Sequence, residues 1–543
     1  MSEESGQLAS RNSGQLIHRI LDQPNLVAAV QSLPAQALGK LVNHVGLEDA
    51  GEIVTLATTA QLKSIFDDDL WRSLGPGKEE TFDAARFTLW LEVMLEAGEE
   101  FAAAKLAELP EDLVTLAFHK QVLVINIEEL AITMSSRASE NPADDDVQVE
   151  KALESCLAEE LGEYRIVSRH HESWDTLLGL LVALDRDHHE FLQRLLDRLR
   201  AMDAEFIEDN GGLFQALTAE ESLESDVGAE REDRRAEQGF IAPFSAAAFL
   251  ALARTSKLDD LVASDQRDPI SRAYFRQLGE PTAGAGKTSA TTKSAPPTPA
   301  PPAPASPASG LLVLLREADV LPPARTFNLL EGNRTSANEA STDLFTSTLR
   351  QLADDAPDVH ASRMRELAYL ANVLAAGCSL SGRSMRPVEA ARAAVATCTL
   401  GLAHTLAATR KRRSPALALK STPADKLFRI GWNILFRDVV GAAATTAEAL
   451  LARESLPAEP DQQRAAAALR SAIAAGKPWL ALRSLDVLEQ RLGQPAFSAL
   501  AALLDECPSL AGKLSTSATD EIELISTDEQ IKAARAFLKD ALV

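Results

Sequence analysis

The sequence has few aromatic residues, and this shortage argues against a fold built mainly from sheets. Phe, Trp and Tyr together make up 5% of the 543 residues, although hydrophobic residues as a whole reach 46%. Aromatic and β-branched side chains are enriched in strands, whereas abundant Ala and Leu are typical of packed helices. We therefore predict a mostly all-α protein, long enough for more than one hydrophobic core.

Cysteines are also scarce, and their spacing argues against two common uses. A disulfide framework is typical of short, cysteine-rich secreted chains, and a zinc module is typical of paired cysteines. The four cysteines here lie far apart and form no CxxC pair, so we predict neither. Reduced thiols fit the cytosol, and we expect a cytoplasmic protein. The cysteines are Cys156, Cys378, Cys398 and Cys507.

Long apolar runs are missing as well. The best transmembrane candidate, residues 393–409, contains His404, and it is shorter than the ~20 apolar residues that a spanning helix needs. The first 21 residues carry Glu3 and Glu4 before any basic residue, and they lack the apolar core of a secretory signal. We predict a buried helix at 393–409 and no membrane insertion.

One long stretch of the chain contains no side chain suited to a core. Residues 281–310 hold eight prolines and no apolar side chain larger than alanine. Such a segment cannot bury enough surface to offset the entropy lost on ordering it, so we predict a flexible linker. It would separate a disordered tail (1–14) and an acidic, solenoid-like helical lobe (15–280) from a second α-helical lobe (311–543).

The net charge of minus 25 is concentrated on one side of this linker. Asp and Glu outnumber Lys and Arg by 53 to 25 before the linker, and the counts are 26 to 27 after it. Such a field repels nucleic acid and anionic membranes. It favours solubility and is compatible with a basic protein partner. We also expect weak, salt-sensitive docking between the two tethered lobes.

Short helical segments follow one another in the N-terminal lobe. Their apolar residues recur at every third or fourth position, and none of them is long enough to be stable alone, which predicts an α-solenoid-like stack. Residues 33–38 and 109–113 share a Leu-Pro start, with Pro in the first helical turn. These helix pairs resemble those in the cytosolic N-terminal domain of magnesium transporters and in flagellar motor switch proteins. That resemblance implies superhelical packing.

Two β-prone segments interrupt this helical pattern. Residues 122–127 read VLVINI, and residues 164–168 read YRIVS. Runs of β-branched and aromatic residues at this length predict strands, and we expect a small two-stranded ribbon.

A histidine-rich region spans residues 170–190 and contains four histidines. Asp185 and His189 lie one helical turn apart and could share a cation. In one straight helix, however, His171 and His188 would be roughly 25 Å apart. A helix break at Asp185 to Asp187 would instead fold the two histidine pairs together, but the two-metal bundle that could then form needs repeated Glu-x-x-His motifs, which the sequence lacks. A solvated face is the favoured interpretation, and no cofactor is predicted. The metal candidates kept as an alternative are His171, Asp185, His188 and His189.

Two features of the C-terminal lobe suggest further alternatives. Arg410 to Arg413 form the one basic concentration, but no aromatic residues are interleaved with them, so we predict an exposed loop and no nucleic-acid binding. Cys378 follows Gly377 at the end of an apolar run. Nucleophilic catalysis would require a base such as His360 or His404, and a buried cysteine at a helix end is the favoured interpretation.

Several runs of residues resemble an uncharacterised bacterial family, domain of unknown function 6178. The resemblance implies a mostly helical intracellular protein and assigns no site residue. The runs that carry it are 20–24, Arg234-Arg235 with Gly239-Phe240, 365–383, 390–402 and 427–432.

These observations lead to one function and two competitors. The leading hypothesis is a non-enzymatic, cytosolic protein-interaction scaffold or regulator, because stacked short helices make extended surfaces. The competitors are a metal-dependent enzyme or regulator that uses residues 170–190 and a nucleic-acid-binding protein that uses Arg410 to Arg413.

Overall fold

The computed structural model is mostly helical. It describes residues 14–23, 25–126, 157–203, 219–264, 266–278, 307–321, 344–408, 414–453, 460–480, 486–515 and 522–542. Residues 281–306 of the predicted linker, the basic run Arg410 to Arg413 and Cys156 lie outside these residues, whereas residues 307–310 lie within them. No helix within them is both long enough and apolar enough to cross a membrane.

The helices and strands up to residue 203 begin with a helix at 14–21 (α1). They continue with α2 Leu26–Gln31, α3 Ala35–Val45, α4 Gly51–Val54, α5 Thr59–Asp69, β1 Trp71–Ser73, β2 Glu80–Phe82, α6 Ala84–Glu96, α7 Glu99–Glu108, α8 Glu111–His119, β3 Val122–Asn126, β4 Ala158–Leu161, β5 Tyr164–Ser168, α9 Trp174–Asp187 and α10 His189–Asp203. Short 3-10 turns lie at Glu48–Ala50 and His171–Ser173.

The remaining elements are again mostly helices. They are α11 Ala219–Glu237, α12 Pro243–Thr255, α13 Leu258–Ala263, α14 Pro269–Gln277, α15 Ser309–Glu317, α16 Leu344–Asp355, α17 Pro357–Gly377, β6 Ser379–Leu380, β7 Arg383–Ser384, α18 Pro387–Ala408, α19 Pro415–Ser421, α20 Ala424–Leu435, α21 Gly441–Arg453, α22 Pro460–Ala474, α23 Asp486–Leu492, α24 Gln494–Leu503, β8 Ser509–Leu510, β9 Glu523–Leu524 and α25 Asp528–Asp540. A π-helical segment, Phe436–Val440, joins α20 to α21, and 3-10 turns lie at Pro478–Leu480 and Gly512–Leu514.

The chain packs as two compact units, and each unit draws on separate stretches of sequence. The first unit takes the described residues within 1–72, 80–233 and 290–324, and the second takes those within 73–79, 234–289 and 325–543. Each unit has its own cluster of buried hydrophobic side chains. Packing thus places α12 to α14 in the second unit and α15 in the first. The division into lobes at residues 281–310 stays a prediction.

The helices of the first unit pack through the apolar stripes that the sequence predicts. In α5, Leu62, Ile65 and Phe66 are buried, and Thr58 and Gln61 form a reciprocal capping box at its N-terminus. Pro34 and Pro110 immediately precede α3 and α8, where a residue without an N–H group costs the helix no hydrogen bond. The mostly all-α class is confirmed, and the solenoid-like arrangement stays a prediction.

The predicted ribbon is part of a three-stranded antiparallel sheet. Strand β5 lies in the centre, between β3 and β4. Val122 pairs with Ser168 and Asn126 with Tyr164, so the two segments expected to pair do so. The sequence did not predict β4, whose residues Ala-Glu-Glu-Leu include no β-branched or aromatic side chain.

The second unit is organised around a close crossing of α18 and α20. A Cβ atom built on Gly401 would lie 1.9 Å from the carbonyl oxygen of Leu427, and one built on Gly431 would lie 2.0 Å from that of Thr397. The two backbones can approach so closely only because both positions lack a side chain. The apolar run from residue 393 forms the buried middle of α18, as expected.

Candidate functional site

A cavity with a volume of about 960 Å³ lies in the first unit. We call it the groove. It is lined by the start of α6, the end of α8 and the 3-10 turn before α9. Its lining residues are Arg72, Thr81, Phe82, Asp83, Ala84, Ala85, Thr88, Leu89, Glu92, His119, Lys120, Gln121, Arg169, His170, His171, Glu172, Ser173 and Glu220.

The last turn of α8 supplies two basic side chains to the groove. His119 is 7% exposed, and its Nδ1 lies 3.6 Å from a carboxylate oxygen of Glu220. The Nζ atom of Lys120 donates hydrogen bonds to Glu220 at 2.9 Å and to Glu224 at 2.8 Å. Burial alone would lower the pKa of Lys120, but the hydrogen bonds to the two carboxylates outweigh burial and raise it. The same contacts hold the pKa of Glu220 below its usual value despite partial burial.

The segment 169–173 is anchored to the start of β3. The backbone N–H of Arg169 donates to the carbonyl oxygen of Gln121 at 2.8 Å, and its Nε donates to that of Val122 at 3.1 Å. The hydroxyl group of Ser173 donates to the side-chain oxygen of Gln121 at 3.2 Å. These three bonds hold the intervening residues, His170 to Glu172, at the exposed rim of the groove.

The acidic side chains of the groove differ in how they are paired. Asp83 caps the N-terminus of α6 by accepting a hydrogen bond from the N–H of Arg86, and it forms a 2.6 Å ion pair with Arg72. Glu92 accepts a 3.4 Å hydrogen bond from the hydroxyl group of Thr176. Within the described part of the chain, neither Glu92 nor Glu172 forms an ion pair with a basic side chain. These two carboxylates are the negative charges that an incoming basic group would meet.

The predicted metal candidates lie at opposite ends of α9. His171 is exposed in the 3-10 turn before this helix, whereas His188 follows its last residue with φ −137° and thereby separates α9 from α10. A helix of 14 residues lies between them, which is about 21 Å at 1.5 Å per residue. His171 therefore lies at the groove, away from the other three candidates.

Asp185 and His189 lie one helical turn apart and are in contact. The Nδ1 atom of His189 and the Oδ1 atom of Asp185 are 2.8 Å apart, and both side chains are exposed. No group of three or more His, Cys, Asp or Glu side chains in the described ranges is arranged to hold a metal ion.

Cys378 is fully buried directly after α17, in the environment expected for a cysteine at a helix end. Burial raises the pKa of its thiol well above the ordinary value, and the adjacent Cys507 raises it further. A thiol held in its neutral form is a poor nucleophile.

The sequence draws attention to the histidine-rich region, whose first two histidines lie at the rim of the groove, but it gives no signal for the interior of the groove. The pair His170-His171 stands out in the sequence, whereas His119, Lys120 and Glu220 do not. His119 and Lys120 lie at the C-terminal end of an apolar helix and look like two ordinary polar residues. Glu220 lies 100 residues after Lys120 in a charge-dense segment, so only the tertiary structure brings them together.

Comparisons with known proteins place the chain in one family. No curated protein and no solved structure matches it, and the similarity of its helix pairs to magnesium transporters is not shown. The match to the family covers residues 1–272, half of the chain. It includes the resembling runs up to Phe240, and those after residue 364 lie outside it. The chain belongs to the Family of unknown function (DUF6178).

Proposed function

We propose that this protein is a non-enzymatic interaction protein that binds a basic segment of a partner protein in the groove. The observation that carries this proposal is the position of an open cavity of about 960 Å³ in the strongly acidic unit. The first unit contains 48 Asp and Glu against 19 Lys and Arg, a net charge of minus 29. The second contains 31 against 35, a net charge of plus 4. A field of one sign speeds the encounter with an oppositely charged partner and disfavours like-charged ones.

The chemistry of the groove suits an extended peptide. Its wall combines apolar surface from Phe82 and Leu89 with the carboxylates of Glu92 and Glu172. The rim adds the rings of His170 and His171, which can stack on an Arg guanidinium or accept hydrogen bonds. Peptide recognition commonly uses such a combination of apolar contacts and a few oriented polar groups.

A selection from displayed random peptides tests this proposal directly. Peptides that bind the full chain should be enriched in Lys and Arg, and their binding should weaken as salt rises. The double variant Glu92→Gln, Glu172→Gln should lose roughly tenfold or more in affinity for them, because charge-assisted hydrogen bonds are lost.

The matched control is Glu48→Gln, Glu52→Gln. It removes the same two charges from exposed positions of the same unit outside the groove. The control should bind as the wild type does. Selected peptides without basic residues, or an equal loss of affinity in both double variants, would remove the support for the groove as the binding site.

A further inference from the structure

The second unit contains a separate cavity of about 380 Å³ that is lined by four aromatic and two basic side chains, among other residues. Its walls come from α12, from the junction of α20 with the π-helical segment, and from the 3-10 turn Pro478–Leu480. Its lining includes Trp432, Phe436 and Trp479 together with alanines of α12. The volume lies near the lower end of the range of ~300–1,000 Å³ that is typical of small-molecule sites.

Arg254 lies in this cavity with its guanidinium group packed on two aromatic rings. Its Cζ atom is 5.4 Å from the ring centroid of Phe436 and 5.4 Å from that of Trp479. The two rings meet edge to face, with centroids 6.0 Å apart. Contact with both rings restricts the guanidinium, so little conformational entropy would be lost when an anion binds to it.

The backbone that carries Arg254 is fixed from the neighbouring helix. The side-chain amide of Asn433, a 5% exposed residue of α20, donates hydrogen bonds to the carbonyl oxygens of Ala253 and Arg254 at 3.1 Å and of Ser256 at 2.7 Å. Close packing behind the cavity adds rigidity, since a Cβ atom on Gly377 would lie 2.8 Å from Ala246. The cavity is therefore a preformed feature of the second unit.

The guanidinium of Arg254 has donors that the protein does not use. Within the described ranges its side chain forms no hydrogen bond and no ion pair, and burial in the cavity lowers its pKa. Glu506 also lines the cavity, but its Oε2 atom accepts hydrogen bonds from the backbone N–H and the hydroxyl group of Ser379, both at 2.8 Å. Burial raises the pKa of Glu506 above its ordinary value.

We propose that this cavity binds an organic carboxylate with a planar apolar body, held by Arg254 through its carboxylate and by the aromatic side chains through its ring. A guanidinium presents two parallel N–H donors to a carboxylate, and that bidentate geometry is specific for planar anions. The aromatic rings and the alanines of α12 then enclose the apolar body. Lys477 lies at the edge of the cavity and adds a second positive charge.

The test uses the full chain with benzoate as the probe and benzamide as its neutral counterpart. Benzoate should bind saturably in calorimetry and should change the fluorescence of the tryptophans that line the cavity. Benzamide should bind at least about tenfold more weakly, because it cannot form the charge-assisted pair. Absence of saturable benzoate binding up to about 20 mM, or equal binding of the two probes, would overturn the proposal.

Variants locate the site. Arg254→Met keeps an unbranched side chain on the rings without the donors and should abolish benzoate binding. Arg276→Met, at an exposed position of the same unit, should leave it unchanged. Arg254→Lys keeps the charge without the bidentate fork and should weaken binding, which supplies the test if Arg254→Met does not fold. Unchanged benzoate affinity in a folded Arg254 variant would place the probe elsewhere and refute the assignment.

Discussion

Asp425 is a buried carboxylate at the start of α20 that lies close to other charged groups. It is 1% exposed, and its Oδ1 atom lies 3.3 Å from Nε of Arg267. Arg267 also donates to Glu366 at 2.6 Å, so one guanidinium serves two carboxylates. Burial raises the pKa of Asp425 to about 7, with Glu366 and Asp268 adding to the rise and Arg267 opposing it.

This environment makes the stability of the second unit depend on pH. Asp425 binds its proton more tightly in the folded than in the unfolded chain, so its stabilising contribution is complete below about pH 4 and is lost as pH rises to about 7. We expect the free energy of unfolding of Asp425→Asn to depend less on pH between about pH 4 and 7 than that of the wild type. The measurement is the free energy of unfolding in urea at pH 4, 5.5 and 8.

Asp540→Asn provides the comparison, since it removes a carboxylate at an exposed position of the same unit. Its profile should run parallel to that of the wild type. If the free energy of unfolding depended on pH as steeply in Asp425→Asn as in Asp540→Asn, Asp425 would not be the group that causes this dependence.

At the residue scale, buried charge was the feature that the sequence could not reveal. Arg231 belongs to a charge-dense run that reads as a solvated helix, yet it is 3% exposed. Its guanidinium pairs with Glu80 at 2.6 Å and lies over the ring of Trp71. These partners come from a distant part of the chain, and a helical pattern contains no information about them. The same limit applies to Lys120 and Glu220 in the groove.

At the scale of elements, the crossing of α18 and α20 depends on two glycines. Gly431→Ala should destabilise the second unit by about 3 kcal/mol or more, because its Cβ atom would overlap the carbonyl oxygen of Thr397 and force the backbones apart. Gly401→Ala should act in the same direction. Chemical denaturation monitored by circular dichroism measures the change in the free energy of unfolding.

The control is Gly179→Ala in the middle of α9, where a Cβ atom would meet nothing within 4 Å. Alanine there should raise stability by up to ~1 kcal/mol, since it has the higher helix propensity. If Gly431→Ala were as well tolerated as Gly179→Ala, the crossing of α18 and α20 would have to be looser than the structure shows.

Sequence patterns predicted elements well where local chemistry sets them. The pairing of residues 122–126 with 164–168 follows from their β-branched and aromatic side chains. Strand β4 was missed because it gains its structure from β5 and not from its own propensity. The break between α9 and α10 at His188 has no such local signal, since the sequence on both sides of it is equally helical.

At the scale of the whole molecule, the two units do not follow the composition of the chain. Residues 281–310 look like a boundary, but α15, which begins at Ser309 within them, contributes to the core of the first unit. Leu311 and Leu315 of this helix are 1% and 0% exposed within that core. Composition predicts a linker, but packing decides which unit each flanking helix joins.

Leu315→Ala tests that assignment. Removing a buried leucine should destabilise the first unit by about 2–5 kcal/mol. Hydrogen exchange should then speed up in α6 to α8. Val313→Ala on the same helix, where the side chain is 50% exposed, should have little effect. Faster exchange in α20 in place of α6 to α8 would assign α15 to the other unit.

The charge difference between the units underlies the proposed interaction with a basic partner. The net charges of the two packed units are minus 29 and plus 4. These values differ more than the net charges of the two stretches of sequence on either side of residues 281–310. Docking of the two lobes on each other stays a prediction, and the basic run Arg410 to Arg413 lies outside the described residues.

The most direct test of the proposed function is photo-crosslinking inside the source cell. A benzophenone amino acid in place of His171, at the rim of the groove, should capture a discrete partner through a segment rich in Lys and Arg, and Glu92→Gln with Glu172→Gln in the same chain should suppress the product. The same probe in place of Val182, an exposed position in α9 outside the groove, should not capture it. Identical products from both positions, or capture through an acidic segment, would contradict the account.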